Sequence, residues 1–258
     1  MNLNREPKIL LWDVENTHNI VATFGMWNVN ITHKQILQEW FMLCAAWKWL
    51  GEKKISSVSL LDDIPRFKKD FTDDYFVIKT LHGVLSEADA IVAHNGDKFD
   101  LRKFNARAVK HGLKPIPKMV TIDTLKIAKQ HFNFNHNKLD YLGHYLGVGQ
   151  KIDTDIELWL DCLKGDVNAI KKMVVYNKGD ITLLENVFRI LAPYAEAKLN
   201  FNHFFGEGHV CPTCGSEDLQ RRGFRLTRVS KFQRFQCNSC GAWSSAPDKK
   251  NGEAGKIR

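Results

Sequence analysis

Apolar and polar positions along this 258-residue chain change character about a quarter of the way in. Up to residue 62 the apolar stretches are short. KILLWDVE at 8–15 is a continuous apolar run ending in acids, the pattern of a strand buried on both faces. Residues 20–27 (IVATFGMW) are expected to be its hairpin neighbour, with Asn16, Thr17 and Asn19 in the turn. The segment 39–49 (EWFMLCAAWKW) fits a strand by its aromatic content and a helix by its length and Ala pair. The alternation in ISSVSLLD at 55–62 predicts a further strand.

From residue 72 helical spacing takes over. Phe76, Leu81 and Leu85 recur at helical intervals within 72–87, with Thr72 as the expected N-cap. A strand is predicted at 89–94, a helix over 98–111, and a strand at 119–123. Helices follow near 124–132 and 137–146, then over 155–163 and 166–191. Strands first, then strands alternating with helices, predict an α/β domain over 1–192 built as a mixed sheet flanked by helices. Residues 193–209 read as a linker, 210–246 as a small cysteine-rich β-hairpin domain, and the polar, Gly/Lys-rich 247–258 as a disordered tail.

Composition narrows the class. Lys and Arg outnumber Asp and Glu by 37 to 29, giving a formal charge of +8, which points to an anionic partner with nucleic acid foremost. No uninterrupted apolar run is long enough to span a bilayer, and MNLNREPK lacks the apolar core of a secretion signal, so a cytoplasmic location is expected. Cys44 and Cys162 stand alone, whereas Cys211, Cys214, Cys237 and Cys240 form two C-x-x-C pairs. In a reducing compartment such pairs are metal ligands more often than disulfides. Two knuckles of this kind complete a tetrahedral site for one structural Zn²⁺, and the tail resembles a zinc ribbon. Between the knuckles Arg221, Arg222, Arg225, Arg228, Lys231 and Arg234 interleave with Phe224, Phe232 and Phe235. This arrangement suits phosphate contact and base stacking, although the same phenylalanines would also pack a small ribbon.

Acids placed in apolar surroundings carry the chemistry. Asp13 and Glu15 are two apart on a predicted strand, so both leave the same face. Asp100 follows the strand DAIVAH and the turn Asn95-Gly96-Asp97, and Phe99, Leu101 and Phe104 favour it over Asp97 as the inward acid. Tyr176 and Asp180 are four apart on a helix and share a face with apolar neighbours. Each also has a structural explanation: strand-end acids, a helix cap, a surface pair. Asp123, which opens a helix, reads as an N-cap. Trp40, Trp47 and Trp49 read as core, and Lys138 and Lys178 as solvated.

Taken in order, D-x-E on the first strand, H-N-x-x-x-F-D after a middle strand and Y-x-x-x-D on a late helix resemble the DEDD exonucleases, specifically their tyrosine-bearing branch. The resemblance spans roughly residues 8–191. It implies the RNase H-like fold of DnaQ-type proofreading enzymes, and the terminal ribbon is similar to that of phage-encoded exonucleases, which would place the protein in the host cytoplasm. It further implies a metal-dependent 3′→5′ exonuclease, acting on single-stranded DNA in preference to RNA. Asp13, Glu15 and Asp180 would hold Mg²⁺ or Mn²⁺, two ions in all, with Asp100 assisting through water. Tyr176 would orient the attacking water, Asn95 would contact nucleic acid, and a DNA polymerase or replication protein is an implied partner. Asn16 departs from the pattern, because relatives often carry Thr there beside the bound 3′ end. An RNA-trimming or structure-specific nuclease, and a nucleic-acid-binding or polymerase-associated module with a vestigial nuclease site, remain the alternatives.

Overall fold

The computed structural model describes residues 5–204 and 210–247. Its centre is a five-stranded sheet of β1 (Ile9–Asn16), β4 (Met42–Trp49), β5 (Ser56–Ser59), β6 (Ala90–Ala93) and β7 (Val120–Asp123), in the order β5-β4-β1-β6-β7. β1, β6 and β7 run parallel, and β4 is antiparallel to both β1 and β5. This is a mixed sheet flanked by helices.

The continuous apolar run in β1 has its reason in this layering. Leu10, Trp12 and Val14 enter one core with Val77, Ile78, Leu81 and Leu85 of α2 (Tyr75–Ser86) and Phe104 of α3 (Asp100–Lys110). Ile9 and Leu11 enter another with α4 (Thr124–His131), α5 (Leu139–Tyr145) and the second half of α7 (Val167–Leu191). Period-2 alternation feeds two cores from one strand, so neither face is polar. α7 lies across the face that β4 and β1 share. Asp13 pairs with Ala46 and Glu15 with Cys44 in the ladder. Cys44 Sγ lies 3.8 Å from Asn177 Oδ1, and Lys48 pairs with Glu185. α1 (Ile64–Lys69) and α6 (Ile156–Leu163) complete the helical layer.

Two expectations are corrected and one open assignment is resolved. Residues 20–27 are not the neighbour of β1: β4 holds that place, and only Ile20–Val21 (β2) forms a strand, pairing with β3 (Ile36–Gln38) in a separate two-stranded ribbon. The 39–49 segment, open between strand and helix in the sequence, is the strand β4, because only an extended chain can sit between β1 and β5. Thr72 does not cap α2; its hydroxyl donates to Asp70 Oδ1 at 2.7 Å. Asp74 precedes the helix, and its buried carboxylate does other work. It accepts from the Met42 N–H at 2.8 Å, takes Arg107 Nε and Nη2 both at 2.6 Å, and meets His111 Nε2 at 2.6 Å. A buried carboxylate is tolerated there because every lone-pair direction is satisfied by a bidentate guanidinium and its neighbours.

The C-terminal unit is a three-stranded sheet, β10-β9-β8, of β8 (Leu219–Leu226), β9 (Lys231–Cys237) and β10 (Trp243–Pro247). The expected hairpin therefore gains a third strand. Short 3₁₀ turns occupy Ala192–Tyr194, at the start of the expected linker, and Phe201–His203 within it. Asn202 ties this stretch to the ribbon: its Nδ2 donates to Val210 O at 2.7 Å and its Oδ1 accepts from Val210 N–H at 3.0 Å. Pro247 ends β10; the rest of the expected disordered tail, 248–258, lies outside the described residues.

Candidate active site and metal centres

β1 ends where its side chains stop meeting apolar partners. Asp13 and Glu15 leave the α7-facing side of the sheet, and α7 delivers Asp180 to them. One carboxylate oxygen from each of Asp13, Glu15 and Asp180 lies within 4.8 Å of the others. Asp100, 3 % exposed in the first turn of α3, stands outside this three-way contact, but after burial its charge is the largest cause raising Asp13. The turn before it requires glycine, since a Cβ on Gly96 would lie 2.4 Å from the Ala93 Cβ. Asp97, the alternative in that turn, instead pairs with Lys126. Asn95 holds the turn with φ 67 and donates its N–H to Asp123 Oδ1 at 2.8 Å; the same oxygen caps α4 through Leu125 N–H at 3.0 Å. Asn95 also lines an open cleft of about 650 Å³ with His94, Lys129, His136, Lys138 and Lys151.

Burial raises the proton affinity of all four carboxyl groups, and at Asp13 and Glu15 the charges of the other acids add to it. Burial, then the charge of Asp180, pushes Glu15 up to about 8. Burial pushes Asp100 up to about 7 against the pull of the Asp100 and Val14 backbone N–H groups. Asp13 stands well above the ordinary range for the same primary reason, and Asp180 is also raised by burial.

Two residues that sequence reasoning missed complete the centre. Lys151, in the loop between α5 and α6, places Nζ 2.5 Å from Asp180 Oδ2 and 3.1 Å from the Tyr176 hydroxyl. Burial works against its charge, yet the charge and hydrogen bond of Asp180 outweigh burial and raise the ammonium pKa. A lysine in a glycine-flanked loop carries no periodic signal, so nothing in the sequence set it apart. Its loop is seated by close packing, because a Cβ on Gly143 would approach Gly149 O to 2.6 Å. Asn177, fully buried, donates Nδ2 to Asp13 Oδ2 at 2.6 Å. Its signal was present: Met173, Asn177, Asp180 and Leu184 form one helical stripe. Asn16, by contrast, has both side-chain amide atoms buried without a hydrogen-bond partner.

The donor set fits a hard divalent cation. It consists of carboxylate oxygens; Asp180 Oδ1 is buried with no hydrogen-bond partner, and burial, joined by like charge at Asp13 and Glu15, opposes an ionisation that a bound cation would favour. This has a consequence for stability. Unfolded Asp and Glu titrate near pH 4, whereas the folded cluster holds its protons to higher pH, so the folded state binds more protons between these limits. In chelator the midpoint of thermal unfolding is therefore expected to fall as pH rises from about 4.5 through about 8. Mg²⁺ or Mn²⁺ is expected to raise it more at the upper end, by linkage to the ionised form. Glu15→Gln is expected to flatten the slope, and an identical slope in that variant overturns the account.

The second centre is sulfur. Sγ atoms of Cys211, Cys214, Cys237 and Cys240 all lie within 4.8 Å of one another, with 3.7 Å for Cys211–Cys240 and 3.7 Å for Cys214–Cys237. A tetrahedron with zinc–sulfur bonds of about 2.3 Å has edges of about 3.8 Å, so the thiols fit zinc. Burial opposes ionisation of Cys237, but the N–H groups of Cys240 and Ser239 bring its thiol down to about 7. Arg221, Arg222, Arg225, Arg228, Lys231 and Arg234 are all exposed on β8, the turn and β9. Of the phenylalanines, Phe235 is buried against Ala246 and Leu219, whereas Phe224 is 44 % exposed beneath Lys231 Nζ at 3.6 Å.

Residues 52–192, more than half of the chain, match the RNase_H superfamily. The chain belongs to the RNase_H superfamily. The matched segment starts after β1, so it carries Asp100 and Asp180 but not Asp13 and Glu15. Residues 197–242 match a transposase zinc-ribbon domain. Among solved structures, the family B DNA polymerase from the hyperthermophilic archaeon Pyrobaculum calidifontis is similar in fold, with a TM-score of 0.54 and 14 % identity over 88 % of this chain. The similarity covers 32 % of that polymerase, so this chain corresponds to about a third of its length. No curated protein matches the chain. Among the described residues, no helix is long and apolar enough to cross a membrane.

Proposed function

We propose that this RNase_H superfamily member is a metal-dependent exonuclease of the tyrosine-bearing DEDD type, removing nucleotides from 3′ ends of single-stranded DNA in preference to RNA. One observation carries the reading: three carboxylates from β1 and α7 converge within 4.8 Å, with Asp100 and the Tyr176 hydroxyl at the same end of the sheet. The polymerase-like fold and the basic ribbon support it. Asp13, Glu15 and Asp180, with Asp100 behind them, would hold two Mg²⁺ or Mn²⁺, which when bound supply an activated water and neutralise charge on the leaving 3′ oxygen.

The protein's own groups do the positioning. Asn177 fixes the Asp13 carboxylate through its 2.6 Å hydrogen bond. The Tyr176 pKa is raised by burial and by Asp180, so its hydroxyl stays neutral at physiological pH. That hydroxyl accepts from Lys151 and keeps its own proton to donate to the oxygen of the attacking water. Lys151 stays protonated beside Asp180 and offers its remaining N–H to a phosphate oxygen entering the site. The open cleft from Asn95 to Lys151 brings Lys129, His136 and Lys138 alongside, a basic approach for the strand. The ribbon would bind its zinc through the four cysteines and hold nucleic acid with its exposed arginines.

The deciding experiment incubates 5′-labelled single-stranded DNA and RNA with Mg²⁺ or with chelator. A metal-dependent ladder that shortens from the 3′ end of DNA is expected. A ladder on RNA alone would transfer the assignment to an RNA-trimming enzyme, and no product on any strand would leave a binding module with a vestigial site.

A further inference from the structure

The excursion between β1 and β4 presents a surface that the chemistry above leaves unused. It departs immediately after the strand bearing Asp13 and Glu15 and returns at Phe41. Its root is fixed. Thr17 N–H donates to Phe41 O at 3.0 Å, Phe41 N–H to Thr17 Oγ1 at 2.9 Å, and Trp40 N–H to Asn19 Oδ1 at 2.9 Å. Lys103 Nζ sits 3.6 Å from the centroid of the Trp40 ring and clamps the returning chain to α3. Beyond the root, β2 and β3 pair, and Gln35 closes the ribbon by accepting from Ala22 N–H at 2.9 Å and donating Nε2 to Ala22 O at 3.1 Å.

At the far end the chain turns through Asn28, which adopts φ 51. There Phe24, Met26 and Trp27 stand in solvent, with exposures of 111 %, 88 % and 86 %. Single exposed apolar residues are ordinary on a folded surface, but three large ones within four positions on a braced arm mark a surface built for contact.

The charge of the arm admits a nucleic-acid contact. From Asn16 to Gln38 the sequence has no Asp or Glu, and it carries His18, His33 and Lys34. An arm without acids does not repel a phosphodiester backbone, and aromatic faces accept unpaired bases of any sequence by stacking. Phe24 is eight residues from Asn16, so it lies at most about 29 Å from the end of β1. The arm is therefore rooted beside the acidic centre, and its tip lies no farther from β1 than the span of a few nucleotides of single strand.

We infer that Phe24 and Trp27 form a stacking platform for unpaired bases of the nucleic-acid strand held at the acidic centre. The inference rests on the nuclease reading for which strand is bound; the stacking itself requires only a single strand with exposed bases. Duplex ends would have to unpair to engage the arm, so the platform favours single-stranded substrate.

The test compares the affinity of the full-length protein, in chelator, for oligothymidylate and for an abasic oligonucleotide of the same length. Wild type is expected to bind the base-bearing strand more tightly, by about tenfold or more per stacked base. Phe24→Ala/Trp27→Ala is expected to lose that preference and to keep its abasic affinity. Phe24→Tyr/Trp27→Phe is expected to restore the preference. Both side chains are exposed, so the variants should fold, which their thermal unfolding checks. An undiminished preference in the alanine variant, or none in wild type, overturns the inference. So does a shift of oligomeric state in the alanine variant with its base preference retained, which would make the tip a contact between copies. Hydrolysis of thymidine 5′-(p-nitrophenyl phosphate) by wild type probes the acidic centre separately. Its failure counts against the nuclease reading and leaves the base-preference measurement standing.

Discussion

Asp180→Ala, like Asp13→Ala, is expected to cut nucleotide release from a 5′-labelled strand by about a thousandfold or more, with the fold preserved. The magnitude follows from the several kcal/mol of transition-state stabilisation that a complete metal-binding centre supplies, at about 1.4 kcal/mol per decade of rate. Asp180 is 2 % exposed; one of its oxygens meets Lys151 and the other has no hydrogen-bond partner. Removing the carboxylate takes away one of the three converging acids and frees Lys151 from its anchor, while relieving like-charge crowding around Glu15. Thermal unfolding in chelator is therefore expected at or above the wild-type midpoint, and the gain on adding Mn²⁺ is expected to shrink. Activity near wild type in either variant would remove these residues from the chemistry.

Cys237→Ser is expected to have the largest structural effect. The ribbon's apolar core among the described residues consists of Cys211, Cys237 and Ala242 in one cluster and Phe235 with Ala246 in the other, packed mainly by Leu219 and Cys240. So small a core does not fold a unit of this size alone. A structural zinc contributes on the order of 10 kcal/mol to such a domain. The variant is expected to lose one zinc per chain by elemental analysis and to become cleavable by protease within β8–β10. With the arginine-bearing hairpin unfolded, affinity for single-stranded DNA is expected to drop and its salt dependence to flatten, as fewer phosphates are neutralised in register. Full zinc content, or an unchanged salt slope despite zinc loss, would detach the ribbon from metal binding or from nucleic-acid binding respectively.

The elements that periodicity predicts best are those whose faces are determined locally. β6, α3, β7 and α7 fall close to the predicted spans, because a buried strand or an amphipathic helix writes its environment into its own residues. The 20–27 segment departs from its expected place for the opposite reason. Its apolar residues do not report a buried face, since Phe24, Met26 and Trp27 are exposed, and a pattern read as burial was an arm surface. Thr72 does not cap α2 because the helix starts after Asp74, whose carboxylate is engaged by Arg107 of α3 and by His111 at the end of that helix. Nothing within 72–87 encodes that partnership.

For the site, the residue types and spacing of Asp13, Glu15, Asp100, Tyr176 and Asp180, and the four cysteines, were legible in the sequence alone. Acids two apart on a strand, or a Tyr and an Asp four apart on a helix, share a face by backbone geometry before any tertiary contact exists. Only the tertiary structure decided that β1 and α7 bring three of those carboxylates within 4.8 Å, that Asp100 rather than Asp97 is the buried acid of its turn, and that Lys151 and Asn177 hold the centre's hydrogen bonds. The physical reason is range. A chain fixes side-chain direction within a strand or a turn of helix, whereas the meeting of charges far apart in sequence depends on how whole elements pack, and that packing is driven by apolar surface that says nothing of the charges it carries along.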